Sequence, residues 1–155
     1  VGLVREQGAS GGGQAIARVR QTALSRIHAI ASKDAAYARA AQPVLAQAMG
    51  DPNQPVRTQA FEHLLALGMD KAALGAEALE AGYTDLGVKG LELLTDGTSA
   101  KKGEAVLERV MLARSDDLAI EAAKLLRARR NAIDTGKKAV DSVYEPMRLT
   151  AVQWL

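Results

Sequence analysis

One pattern recurs along this chain with fixed internal spacing: an apolar residue, a small residue four positions on, and a large aliphatic residue four beyond that. The triplets are Val19, Ala23, Ile27; Val56, Ala60, Leu64; Leu86, Gly90, Leu94; Leu118, Ala122, Leu126; and Met147, Ala151, Leu155. Their first residues stand 37, 30, 32 and 29 positions apart. A step of four puts the three residues of a triplet on one face of an α-helix. Self-similarity at this period marks a stack of helix pairs, each with an apolar face that only its neighbours can cover.

The punctuation between triplets fits helix, turn, helix. In the clearest unit, Gln42 to Met49 reads as a short first helix with Pro43 near its start, where a missing N–H costs least. Gly50-Asp51-Pro52-Asn53 supplies a turn, and Gln54 to Leu67 a second helix with Pro55 in its first turn and Gly68 just past its end. Further first helices are predicted at 70–80, 99–113 and 131–142, and second helices at 85–95, 116–129 and 145–155. The turn residues Gly68, Gly82, Asp96-Gly97, Ser115-Asp116 and Asn131 stand between them. Residues 1–13, with five glycines, read as a flexible lead-in, and 14–155 as the helical array. The chain starts on Val and ends inside the last triplet, which reads as a piece of a longer protein.

Composition agrees with this plan. At 48% apolar and 25% charged, the chain has ordinary water-soluble composition. No stretch approaches the roughly 18 apolar residues of a membrane-spanning helix, and no signal peptide is visible, so a cytoplasmic location is expected. There is no cysteine, so disulfides, thiolate catalysis and cysteine-held zinc are excluded. Five aromatics leave the interior to Ala, Leu, Val and Ile, which favours closely approaching helices. The net charge of +2 divides unevenly: +4 over residues 1–49, −5 over 50–99 and +3 beyond. An acidic middle argues against one continuous basic surface.

The run Asp51-Pro52-Asn53-Gln54-Pro55-Val56-Arg57-Thr58-Gln59-Ala60, followed by Leu64, resembles the HEAT repeat. Val19-Arg20 with Ala23 and Ile27, and Met147-Arg148 with Ala151 and Leu155, match the second half of that pattern. In the copies begun by Leu86 and Leu118 the arginine position holds Gly87 and Ala119. The short period is similar to bacterial HEAT-like repeats of the phycobilisome-lyase type. The resemblance implies an all-α, α–α superhelix of four to five helix pairs, an armadillo-type solenoid whose second helices line the concave side. It also implies structural roles for Asp51, Arg57, Ala60, Leu64, Gly90, Ala122 and Ala151, and an inter-repeat ladder in which Arg20, Arg57 and Arg148 are structural.

Sites with chemistry are scarce. Gly8 and Gly13 have the spacing of a phosphate-binding loop, but Gln14 and Ala15 stand where Lys and Ser or Thr are needed. His28 is expected to face away from the core and His63 to flank it, unpaired and on separate repeats, which makes no metal site. Asp116, Asp117 and Asp51 read as helix caps, and Tyr37, Phe61, Tyr83 and Tyr144 as packing residues. No catalytic, cofactor-binding or metal-ligating set is predicted. The strongest candidate is a basic interaction patch of Lys124, Arg127, Arg129, Arg130, Lys137 and Lys138, with only Asp134 as an acid in that interval.

These features lead to the expectation of a non-catalytic protein–protein interaction scaffold within a larger cytosolic protein, with no membrane contact. Exposed end helices would offer the isolated chain a surface through which to associate. Two rival expectations remain: nucleic-acid binding through the basic patch, as in HEAT-like DNA glycosylases, and a lyase-type role marked by a buried acid or tyrosine of shifted pKa.

Overall fold

A computed structural model describes the backbone of residues 2–96 and 100–155 and the side chains of 12–96 and 101–155. Among these the protein is all-α. The helices are α1 (Gly2–Ala31), α2 (Ala35–Ala48), α3 (Gln54–Ala66), α4 (Lys71–Glu80), α5 (Thr84–Leu94), α6 (Ala100–Ala113), α7 (Leu118–Arg129), α8 (Ala132–Ala139) and α9 (Glu145–Val152). They form two compact units, Val1–Met69 and Asp70–Leu155. The turn residue Gly97 and a helix start at Ser99 lie outside the described residues.

In the first unit α1, α2 and α3 pack on one another. Here α1 runs from Gly2 to Ala31 and so includes the stretch read as a flexible lead-in. Extending an existing helix through a glycine costs only about 1 kcal/mol. Likewise α2 begins at Asp34, whose carboxylate accepts from the Ala36 and Tyr37 N–H groups at 2.8 and 3.2 Å, so Pro43 sits inside the helix and not at its start. The cap of α3 is Asn53, accepting from the Val56 N–H at 3.3 Å; Asp51, expected to cap, instead accepts from the Asn53 N–H at 2.8 Å and pairs with Arg20.

The second unit is three successive helix pairs, α4–α5, α6–α7 and α8–α9, around one apolar core that includes Leu94, Leu107, Met111, Leu126 and Met147. At the α4–α5 crossing, Gly75 and Gly90 face each other. A Cβ on Gly90 would lie 2.7 Å from the Gly75 carbonyl oxygen, and one on Gly75 2.9 Å from that of Gly90. Gly68 and Gly82 end α3 and α4 with φ of 77° and 83°, the left-handed conformation that side chains resist.

Four triplets are turned inward: Ala60, Gly90, Ala122 and Ala151 are all buried, as are Leu64, Leu94 and Leu126, while Leu155 is exposed. The first triplet is not. Val19 is 69% exposed, and α1 buries Ala17, Leu24 and Ala31 instead. Continuing as one long helix, α1 does not fold back as a pair, so no first helix lies over its Val19 face.

Hydrogen bonds tie each pair of the second unit to the one before it. Arg114, just after α6, donates to the Leu79 carbonyl of α4 at 2.7 Å, and Arg129, ending α7, donates to the Leu94 carbonyl of α5 at 2.8 Å. Next, the Ser142 hydroxyl donates to the Met111 carbonyl at 2.7 Å and the Val143 N–H to that of Leu112 at 2.9 Å. These donors satisfy C-terminal carbonyls that a helix leaves without internal partners.

Candidate interaction site

The basic run on α7 and α8 is largely turned toward its own chain. Arg130 donates to Glu104 and Glu108 at 2.8 Å each, and Lys138 reaches the other Glu108 oxygen at 2.8 Å. Lys124 pairs with Glu121 at 2.7 Å, Arg127 lies 5.0 Å over the Trp154 ring, and Arg129 is held by the Leu94 carbonyl. Only Lys137 of the six has no partner among the described residues. The hollow that Arg130, Lys138 and Glu108 line holds about 20 Å³, room for about one water. The sequence concealed this because Glu104 and Glu108 come from α6, outside the basic interval.

Lys138 and then Arg130 hold Glu108 below its ordinary carboxylate value of 4.5. A carboxylate more acidic in the fold contributes stability that is complete above that value and is lost as pH falls through the folded one. Glu108→Gln is therefore expected to flatten the acid limb of a urea-midpoint profile below about pH 4.5, by no more than about 1 kcal/mol for a partly exposed network. An unchanged limb would remove Glu108 from the acid response.

Other expected sites are redistributed. Asp117 makes no capping bond and accepts from the Tyr144 hydroxyl at 2.8 Å, while Asp116 accepts from Arg114 at 3.2 and 2.6 Å. That bond from Tyr144 to Asp117 raises the phenol's pKa, but it lies on the surface and not in a concave pocket. Arg57 is buried and donates to the Pro52 and Asp51 carbonyls at 3.0 and 3.4 Å. Arg20 pairs with Asp51 at 2.7 Å, and Arg148 donates to the Ser142 carbonyl at 2.8 Å.

A wide concavity lies in the first unit, a groove of about 790 Å³ between α1 and α3. Gln21, Thr22 and Ser25 line it from α1 and Gln54, Thr58 and Gln59 from α3, with Arg18 and Glu62 also on its walls. Steps of three and four along both helices place these amides and hydroxyls on facing sides. They could be read off the sequence only once α1 and α3 were known to be neighbours.

On the same two helices His28 and His63, expected to be apart, stack face to face with ring centres 4.2 Å apart and planes within 9°. The reason is the true register of α1: His28 follows buried Leu24 by one turn, which brings it to the α3 side. The Gln59 amide nitrogen stands 2.7 Å from the Ser25 hydroxyl, 3.2 Å from the Gln21 carbonyl oxygen and 3.2 Å from Nε2 of His63. A carbonyl only accepts, which fixes the amide with its NH2 toward these atoms. The Gln59 amide oxygen is buried with no hydrogen-bond partner.

Comparison with protein-family models, with curated proteins and with solved structures finds no match to this chain.

Proposed function

We propose that the chain is a HEAT-type, non-catalytic scaffold module of a larger cytosolic protein, and that it grips a polypeptide partner along the α1–α3 groove. One contrast carries this reading. Three of the six cations in the basic run pair with Glu104, Glu108 and Glu121 of the same chain, whereas the groove walls carry the uncharged Gln21, Thr22, Gln54 and Thr58. Side chains that both donate and accept match the backbone of a peptide partner, which offers N–H and C=O groups in alternation. Phosphate contact through the basic run would first require breaking existing ion pairs.

The test is peptide display against the full chain, followed by affinity measurement of the selected peptides. Thr22→Arg with Thr58→Arg is expected to weaken binding by at least about tenfold, or 1.4 kcal/mol, with Arg130→Gln leaving it unchanged. Duplex DNA binding that falls steeply between about 50 and 200 mM salt and is lost in Lys137→Gln with Arg130→Gln would overturn the proposal in favour of a nucleic-acid module.

A further inference from the structure

The hydrogen bonds that hold α1 to α3 are compatible with only one protonation state of His63. Nε2 of His63 stands 3.2 Å from the Gln59 NH2, a group that only donates, so this arrangement suits a neutral ring with its proton on Nδ1 and a bare Nε2. A proton on Nε2 would set donor against donor. Turning the Gln59 amide by half a revolution would relieve that conflict, because its buried, unpartnered oxygen would then accept from His63. The same turn would put that oxygen's nitrogen partner away from Gln21, breaking the bond from α3 to the α1 backbone. A second proton on the stack would place like charges on rings 4.2 Å apart.

We infer that His28, His63 and Gln59 form a proton-sensitive latch that holds the α1–α3 groove in its neutral-pH shape and releases α1 on acidification. Among the charged groups of the packed elements, His28 and Glu62 act on His63. Among the residues whose side chains are described, the other charges there are Arg18, Arg20 and Arg26 on α1, Lys33 and Asp34 in the following turn, Arg39 on α2 and Arg57 on α3. Arg20 is paired with Asp51, and Arg57 is turned to the Asp51 and Pro52 carbonyls. Glu62 opposes release but does not supply the missing acceptor at Nε2.

Burial first, and then His28, hold His63 below its ordinary value of 6.5. A base harder to protonate when latched draws the equilibrium toward the released form as pH falls. The latch is therefore complete above about 6.5 and weakens from there down through the folded-state value. Each pH unit between the two values multiplies the released fraction about tenfold at the acid limit.

The latch rests on the groove reading only for what it regulates, and its test contains no ligand. Amide exchange along α1 in the full chain, corrected for intrinsic pH dependence, is expected to accelerate between about pH 7.5 and 5.5, by up to about tenfold for one proton. In His28→Phe with His63→Phe, which keeps two stacked rings without titratable nitrogens, that acceleration is expected to vanish. Equal acceleration in both proteins overturns the latch. So does a wild-type NMR titration in which the His63 Cε1–H signal moves at the ordinary histidine value; a midpoint below that value supports it. Failure of the groove to bind peptides would overturn the preceding proposal and leave both readouts as they are.

Discussion

Ala60→Asp is expected to unfold the first unit. Ala60 has no exposed surface and lies one turn from Val56 and Leu64, which are equally enclosed. An ionised carboxylate there would have neither water nor a cationic partner, at a cost of about 3–5 kcal/mol, and neutralising it would still leave a buried hydroxyl and carbonyl to satisfy. Against the 5–15 kcal/mol that separates a typical folded domain from its unfolded state, that removes most of the margin. Thermal melting followed by circular dichroism should show the cooperative transition lowered or divided. Ala60→Ser, which can bond to the carbonyl one turn earlier, should cost about 1 kcal/mol. An unchanged melt for Ala60→Asp would mean that Ala60 does not face the helix contacts assigned to it.

Gly90→Val carries the second large effect. The atom that a new Cβ would meet is the Gly75 carbonyl oxygen at 2.7 Å, with the Ala78 Cβ at 3.2 Å and Leu79 Cγ at 3.3 Å behind it. Backbone cannot rotate aside as a long side chain can, so α4 and α5 must separate along the crossing. Overpacking of this kind costs about 1–3 kcal/mol, which lowers the melting temperature of a domain of this size by roughly 4–8 °C per kcal/mol. Gly13→Ala provides the opposite sign. Nothing lies within 4 Å of its added methyl, so the gain in helix propensity of about 1 kcal/mol should appear as stabilisation. Two glycine replacements in helices, one destabilising and one stabilising, would separate close packing from intrinsic propensity. Stabilisation at both sites would refute the crossing.

The helix-pair plan was legible because a small residue between two larger ones, one turn apart, is what close helix packing demands. That is why Ala60, Gly90, Ala122 and Ala151 all turned out buried. The same signal misled at Val19. Two apolar stripes run along α1, Val19–Ala23–Ile27 and Ala17–Leu24–Ala31, and periodicity alone does not say which one a neighbour will cover. The misplaced register carried His28 to the wrong side, hiding its stack with His63. The partners of the basic patch were hidden for a related reason. A guanidinium reads as a surface charge in sequence, but Arg129 and Arg130 are accounted for by a carbonyl and two carboxylates more than 20 residues away. A trace of the arginine arrangement was present: Arg114 and Arg129 stand 15 residues apart, as do the leucines whose carbonyls they reach.

Those two arginines also decide how the second unit responds to force. Because α4 and α5 form a helical hairpin, their C-terminal ends lie at opposite edges of their layer, and Leu79 and Leu94 sit at those ends. Arg114 therefore fastens one edge and Arg129 the other. A stack fastened along a single edge fans open under tension like the leaves of a book, but fastening at both edges leaves it neither a hinge line nor a direction of easy shear. Pulled or bent, this part of the protein should transmit load as a stiff block up to the point of rupture, and should store little elastic strain on the way.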